Sequence, residues 1–129
     1  LLKEIIKEDF VPVIVPMGLD EKGISYNINA DTAAGAIARS IKSRRLMLLT
    51  DIDGVLDNND KLISEINTTE AKELINNKVI HGGMIPKVKT CIDAINNGVR
   101  AVVIIDGRKP HSILFELFSD KGAGTLIRK

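Results

Sequence analysis

At 129 residues and 44% hydrophobic content, the chain can bury one core and is too short for two full domains. Eighteen Lys plus Arg against seventeen Asp plus Glu leave a formal charge of +1, which argues against a nucleic-acid or anionic-membrane partner. Cys91 is the single cysteine, so no internal disulfide can form and a thiolate metal cluster is not expected. No apolar run approaches a membrane span and the opening LLKEIIKEDF is too charged for a signal peptide, so the expectation is a soluble, cytoplasmic protein.

The chain begins with Leu1 rather than Met, in what reads as the tail of an amphipathic helix (Leu2, Ile5, Ile6), which suggests a fragment whose partner half is absent. Val11 to Val15 is predicted as a strand. Asp31 to Lys42 is predicted as a helix with a small packing face of Ala33, Ala36, Ile37 and Ile41, able to lie close to a neighbour. Arg45 to Thr50 is a second predicted strand. A helix over Asn67 to Asn76 carries Asn67 as cap and Glu70 three residues on. The next helix, Met84 to Asn96, has Pro86 near its first turn, an apolar stripe of Val88, Ile92 and Ile95, and Gly98 just past its end. Ala101 to Ile105 is a third strand, His111 to Phe118 a short helix, and Thr125 to Ile127 a last strand. Short Val- and Ile-rich runs alternating with segments of helical period are the pattern of an α/β architecture with a mostly parallel sheet covered on both faces. No repeat, low-complexity tract or linker interrupts it.

Four segments carry chemistry. Leu46 to Leu56 (LMLLTDIDGVL) is a buried strand ending in a hydroxyl, carboxylates and a glycine. In open α/β sheets ligands gather past the carboxyl ends of the strands, so Thr50, Asp51, Asp53 and Gly54 are placed like binding groups. Turn chemistry alone would also account for Asp51 and Gly54. His81 to Lys87 (HGGMIPK) joins two glycines, a helix start and a lysine. Gly82 and Gly83 let backbone amides approach an anion, the helix N-terminus adds partial positive charge and Lys87 a full one, although paired glycines before a helix are common without any ligand. It is not a P-loop. Asn27, Asn29 and Asp31 alternate in SYNINAD and share one side if that piece is extended. Asp31 either caps the helix that follows or orients a cation. His81 and His111 lack partners at metal-ligand spacing, and no G-x-S-x-G or paired Cys and His supports covalent hydrolysis.

The order YNINAD, LLTDIDGVLD, GGMIPK and IIDGRKPH resembles the acetylglutamate kinase branch of the amino-acid kinase family, over nearly all of this chain and about the second half of the family's. The resemblance implies a three-layer αβα sandwich with an open, mostly parallel sheet, of which residues 1–129 would be one nucleotide-binding domain. The acyl-glutamate-binding half, with a glycine-rich loop and a second catalytic lysine, would lie outside it. It further implies that Asn27, with Asn29, binds N-acetyl-L-glutamate, that Asp31 organises the catalytic lysines, and that Lys87 stabilises the transferring phosphoryl group. Thr50, Asp51, Gly54, Val55 and Leu56 would line the ATP pocket, with Gly82 and Gly83 along phosphates that themselves hold Mg2+. His111, Glu116, Gly122 and Gly124 would be candidates for a pocket binding arginine as feedback inhibitor, and the full-length protein would be a homo-oligomer. LLTDIDGVL also resembles the first motif of haloacid-dehalogenase-type phosphatases, with Asp51 as nucleophile and Asp53 as acid/base beside magnesium. That family needs a later acidic strand end, and VVIIDGRK offers one Asp followed by basic residues. A non-catalytic nucleotide- or arginine-binding module is the third possibility.

Overall fold

The computed structural model describes residues 1–129. Its elements, in chain order, are α1 (Leu2–Lys7), β1 (Met17–Leu19), β2 (Ser25–Asn27), α2 (Ala30–Ile41), β3 (Arg45–Thr50), β4 (Glu65–Asn67), α3 (Thr68–Asn76), α4 (Met84–Asn96), β5 (Ala101–Asp106), α5 (Ser112–Phe118) and β6 (Gly124–Arg128). β1 and β2 form a small antiparallel hairpin apart from the main sheet, which has the order β3-β5-β6-β4. β3 pairs parallel with β5 and β4 parallel with β6, while β6 runs antiparallel to β5. The sheet is therefore mixed but mostly parallel. No helix is long and apolar enough to cross a membrane.

Strand alternation sorts the core. Leu46, Leu48, Val102, Ile104 and Ile127 point to one face, where they meet Ala38 of α2, Ala71 of α3 and the Val88, Cys91, Ile92, Ala94 and Ile95 stripe of α4. Val103 and Ile105, equally buried, point to the other face, on which α5 packs against β5 and Glu116 reaches Arg45. Burying five α4 side chains against β-branched strand residues is worth on the order of 1.5–3 kcal/mol for each large one, and this makes α4 the rigid backing of whatever its N-terminus carries.

Two expectations are corrected, and three short strands are added. Val11 to Val15 forms no strand: Val11, Val13 and Val15 are exposed and nothing pairs with them, because β3 is an edge of the sheet and no layer covers the run. Helix α2 starts at Ala30, and its cap is Asn29, whose side chain accepts from the Thr32 N–H at 3.1 Å. Asp31 is thereby released from capping. Last, β1, β2 and β4, each three residues long, went unforeseen. The capping box on α3 is present as expected, with Asn67 accepting from Glu70 N–H and Glu70 accepting from Asn67 N–H at 2.9 and 2.7 Å.

Candidate functional site

The parallel register that sets Thr50 opposite Asp106 brings the carboxyl ends of β3 and β5 side by side, and the Gly107 N–H donates to the Thr50 carbonyl at 2.8 Å. A cavity of about 580 Å³ opens in front of β3, with Thr50, Asp51, Gly54, Val55, Leu56, Gly82, Gly83 and Lys87 in its wall. Of the residues assigned to this site from the sequence, Asp53 alone is missing from that wall. Ile52, Asp57, Asp60, Val79, Ile80, His81 and Met84 complete the lining. Of these, Ile52, Asp57, His81 and Met84 stood inside a recognised motif; Asp60, Val79 and Ile80 come from segments that carry no local signal.

At the far wall of the cavity α4 begins. No side chain caps it, and Gly82 takes a left-handed φ of +55°, which the absence of a Cβ permits. A Cβ at Gly82 or Gly83 would meet nothing within 4 Å, so packing does not demand glycine there; open backbone facing the cavity is what the pair provides. Lys87, in the first turn, is mostly buried and its Nζ donates to Asp31 Oδ2 at 2.6 Å. A helix N-terminus and a fixed ammonium thus converge at one end of the cavity, the arrangement that favours an anion. One turn further, burial pushes the Cys91 thiol up to about 12, with the Asp31 charge adding to the rise and Lys87 opposing it. Cys91 is therefore a packing residue beneath the ion pair and carries no thiolate.

The other predicted residues lie elsewhere. Asn27 ends β2 and is exposed, Asn29 has its carbonyl oxygen committed to the α2 cap, and neither lines the cavity. The alternation expected for Asn27, Asn29 and Asp31 breaks at Asp31, which is already helical. Glu116, Gly122 and Gly124 share a smaller hollow of about 270 Å³ with Arg45, whereas His111 lines an adjoining apolar one with Leu62, Phe115 and Phe118. Glu116 is buried with both oxygens engaged, one by Arg45 Nη1 at 3.2 Å and one by the Ala123 N–H at 2.8 Å.

Asp51 and Asp53 diverge. Asp51 faces the cavity and accepts from Thr50 Oγ1 at 3.2 Å, whereas Asp53 is absent from the lining and pairs with Lys109 Nζ at 2.6 Å. A phosphatase of the rival type would need both carboxylates beside one magnesium site, Asp51 as nucleophile and Asp53 as acid/base. Asp106 is likewise spent: Arg108 donates to both its oxygens at 3.0 Å and holds the carboxyl down to about 2. Because the folded-state value lies below the ordinary 3.8, this contribution to stability is complete above about pH 4 and fades as pH falls toward 2. Asp106→Asn should therefore lower the urea midpoint at pH 7, and the gap to the parent chain should close by pH 2. A gap that persists unchanged in acid would mean the pair is not what the substitution removes.

Residues 1–106 match the amino acid kinase family model. The chain is 63% identical over 128 residues to the acetylglutamate kinase of Pelagibacter ubique, covering 99% of this chain and 44% of that protein. It is 56% identical over 120 residues to the acetylglutamate kinase of Rhodospirillum rubrum, covering 93% of this chain and 39% of that one. The chain thus spans less than half the length of these curated relatives. Among solved structures, N-acetylglutamate synthase from Neisseria gonorrhoeae complexed with coenzyme A and L-arginine superposes with a TM-score of 0.93 at 26% identity, over 99% of this chain and 30% of that one. Carbamate kinase from Giardia shares the fold with a TM-score of 0.75 at 24% identity, over 99% and 46%. The α/β architecture, the cavity at the strand ends and the family match agree, and the chain belongs to the amino acid kinase family.

Proposed function

We propose that the chain is the nucleotide-binding, C-terminal half of an acetylglutamate kinase. The enzyme transfers the γ-phosphoryl of ATP to the side-chain carboxylate of N-acetyl-L-glutamate, giving N-acetyl-L-glutamyl 5-phosphate for arginine synthesis. The observation that carries the reading is Lys87, held by Asp31 at the glycine-lined end of the cavity. The curated relatives at 63% and 56% identity, both acetylglutamate kinases, support N-acetyl-L-glutamate as the acceptor.

The chemistry asks little of a base. A carboxylate nucleophile has no proton to lose, so in-line transfer needs two anions aligned and their charge neutralised. Lys87 supplies positive charge at the site where negative charge passes between oxygens, and the ion pair keeps its ammonium from swinging away. Gly82 and Gly83 let main-chain amides lie along the phosphates. ATP arrives as its magnesium complex, the metal riding on the phosphate oxygens. The nucleoside would lie against the wall made by Thr50, Asp51, Gly54, Val55 and Leu56. Asn27, on the β1-β2 hairpin, would bind the acylated amino acid. Arginine as feedback ligand would take the Glu116, Gly122 and Gly124 hollow, and the complete enzyme would be an oligomer in the cytoplasm.

Three measurements test this. Joined to the portion its relatives carry and it lacks, the chain should trap acyl phosphate as hydroxamate with ATP and N-acetyl-L-glutamate. By itself it should not, and turnover by the 129-residue chain would overturn the division of labour. ATP or ADP should still bind the chain alone, at roughly millimolar strength because one wall of the site is missing; calorimetry or saturation-transfer NMR that detects no binding would count against the pocket. In the joined enzyme Asp53→Ala should leave most turnover intact, since Asp53 faces Lys109 and not the cavity. A hundredfold loss with unchanged folding, about 2.7 kcal/mol of transition-state stabilisation, would return the loop to the phosphatase reading.

A further inference from the structure

We propose that Thr125 is a positioning residue for the nucleotide, its hydroxyl latching the Gly54 to Leu56 wall of the cavity to strand β6. The inference rests on the nucleotide reading of that cavity. Thr125 is fully buried on β6. Its Oγ1 accepts from the Val55 N–H at 2.8 Å and donates to the Ile63 carbonyl at 2.7 Å, two partners some sixty to seventy positions away in the chain. A hydroxyl has one proton and two lone pairs, so both bonds form together.

These two partners are the two sides of one neck. The Ile63 N–H donates to the Val55 carbonyl at 2.9 Å and Leu56 bridges Leu62, closing residues 55 to 63 into a loop whose base the hydroxyl grips from below. Gly54, just before the neck, has φ +148°, and a Cβ there would lie 2.6 Å from Thr125 Oγ1. Backbone and hydroxyl are in direct contact, with no room for a side chain between them. On its other flank Thr125 follows Gly124 and Ala123, whose N–H is held by Glu116 at 2.8 Å, and Glu116 is in turn fixed by Arg45. The wall that meets the nucleotide is thus referenced to the body of the sheet through this hydroxyl, beside the Leu126 N–H bond to the Ser64 carbonyl at 2.9 Å.

Thr125→Val preserves the shape and removes the hydroxyl, leaving the Val55 N–H and Ile63 carbonyl without a partner; Thr125→Ser restores it. In the 129-residue chain, titrated with ADP by NMR, the valine variant should bind at least tenfold more weakly and the serine variant within threefold of the parent. Amide exchange should accelerate at Val55 in the valine variant while the amides of Ile104 and Ile127, in the strands of the core, keep their rates. Equal ADP affinity with Val55 still protected would overturn the latch. So would a uniform rise in exchange at all three amides, which is loss of stability and not loss of position. Should the valine variant fail to fold, the parent decides: exchange of the Val55 amide at the solvent rate overturns the proposal, and protection that survives in the serine variant together with ADP binding supports it. If the parent chain binds no ADP, the nucleotide reading of the cavity fails first, an outcome distinct from equal binding by parent and variant.

Discussion

Lys87→Met should lower kcat of the joined enzyme by on the order of a hundredfold or more while changing apparent nucleotide affinity only modestly, because the ammonium acts chiefly on charge that develops in the transition state. Methionine keeps much of the stem, which is mostly buried against the ion pair, so folding should survive. Asp31→Asn should do comparable damage. Its oxygen lies 2.6 Å from Nζ, and Asn29 has already taken over the capping of α2, so loss of the carboxylate costs the alignment of Lys87 and not the helix. The double variant should then be little worse than either single one, since groups that act as a unit are not additive. Steady-state rates on the four proteins check this; losses that multiply would show two independent residues.

Gly124→Ala should destabilise the fold more than any of the substitutions at the cavity. An added Cβ would fall inside the envelope of the Ile104 carbonyl oxygen and 2.9 Å from both the Ile104 carbonyl carbon and Ile105 Cγ2. These are a main-chain group and a fully buried side chain of the central strand β5, and neither can swing aside. Separating β5 from β6 to make room would strain five antiparallel pairs and the Thr125 bonds next to them. A cost of about 3 kcal/mol or more is expected, a large share of the roughly 5–15 kcal/mol typical of a domain. Urea denaturation followed by circular dichroism measures it, with Gly83→Ala, where nothing lies within 4 Å, as the contrast expected to stay within about 1 kcal/mol.

What the sequence disclosed depended on how local the cause was. Strands β3 and β5 and helices α3 and α4 follow from apolar runs and caps a few residues long, and they form where those signals lie. Val11 to Val15 carries the same strand signal, but a strand also needs a partner, and no neighbouring residue announces that β3 will be an edge. The three-residue strands are too short to show a period at all. Nor could the segment SYNINAD reveal which of Asn29 and Asp31 would cap α2; once Asn29 does, the carboxylate is free for Lys87, fifty-six positions away. Pocket residues were legible where a motif gathered them, as for Gly82, Gly83 and Val55, whereas the bond that ties Val55 to Thr125 spans seventy positions and leaves no local signal.

The placement of β6 between β5 and β4 also bears on how the molecule comes into being. β4 has β6 as its sole partner strand in the sheet, and β6 leaves the ribosome after the other three strands of that sheet. Until residues 124 to 128 emerge, the nascent chain can close the parallel β3 and β5 pair, while Glu65 to Asn67 waits with its main-chain groups bonded to water. Joining β4 to β6 then closes a loop of about sixty residues, a step whose entropy is recovered only when the whole strand docks. The same event brings in the Thr125 hydroxyl, so the wall of the cavity is set only once β6 has docked, and a chain not yet made through β6 offers ADP no finished site to stabilise it.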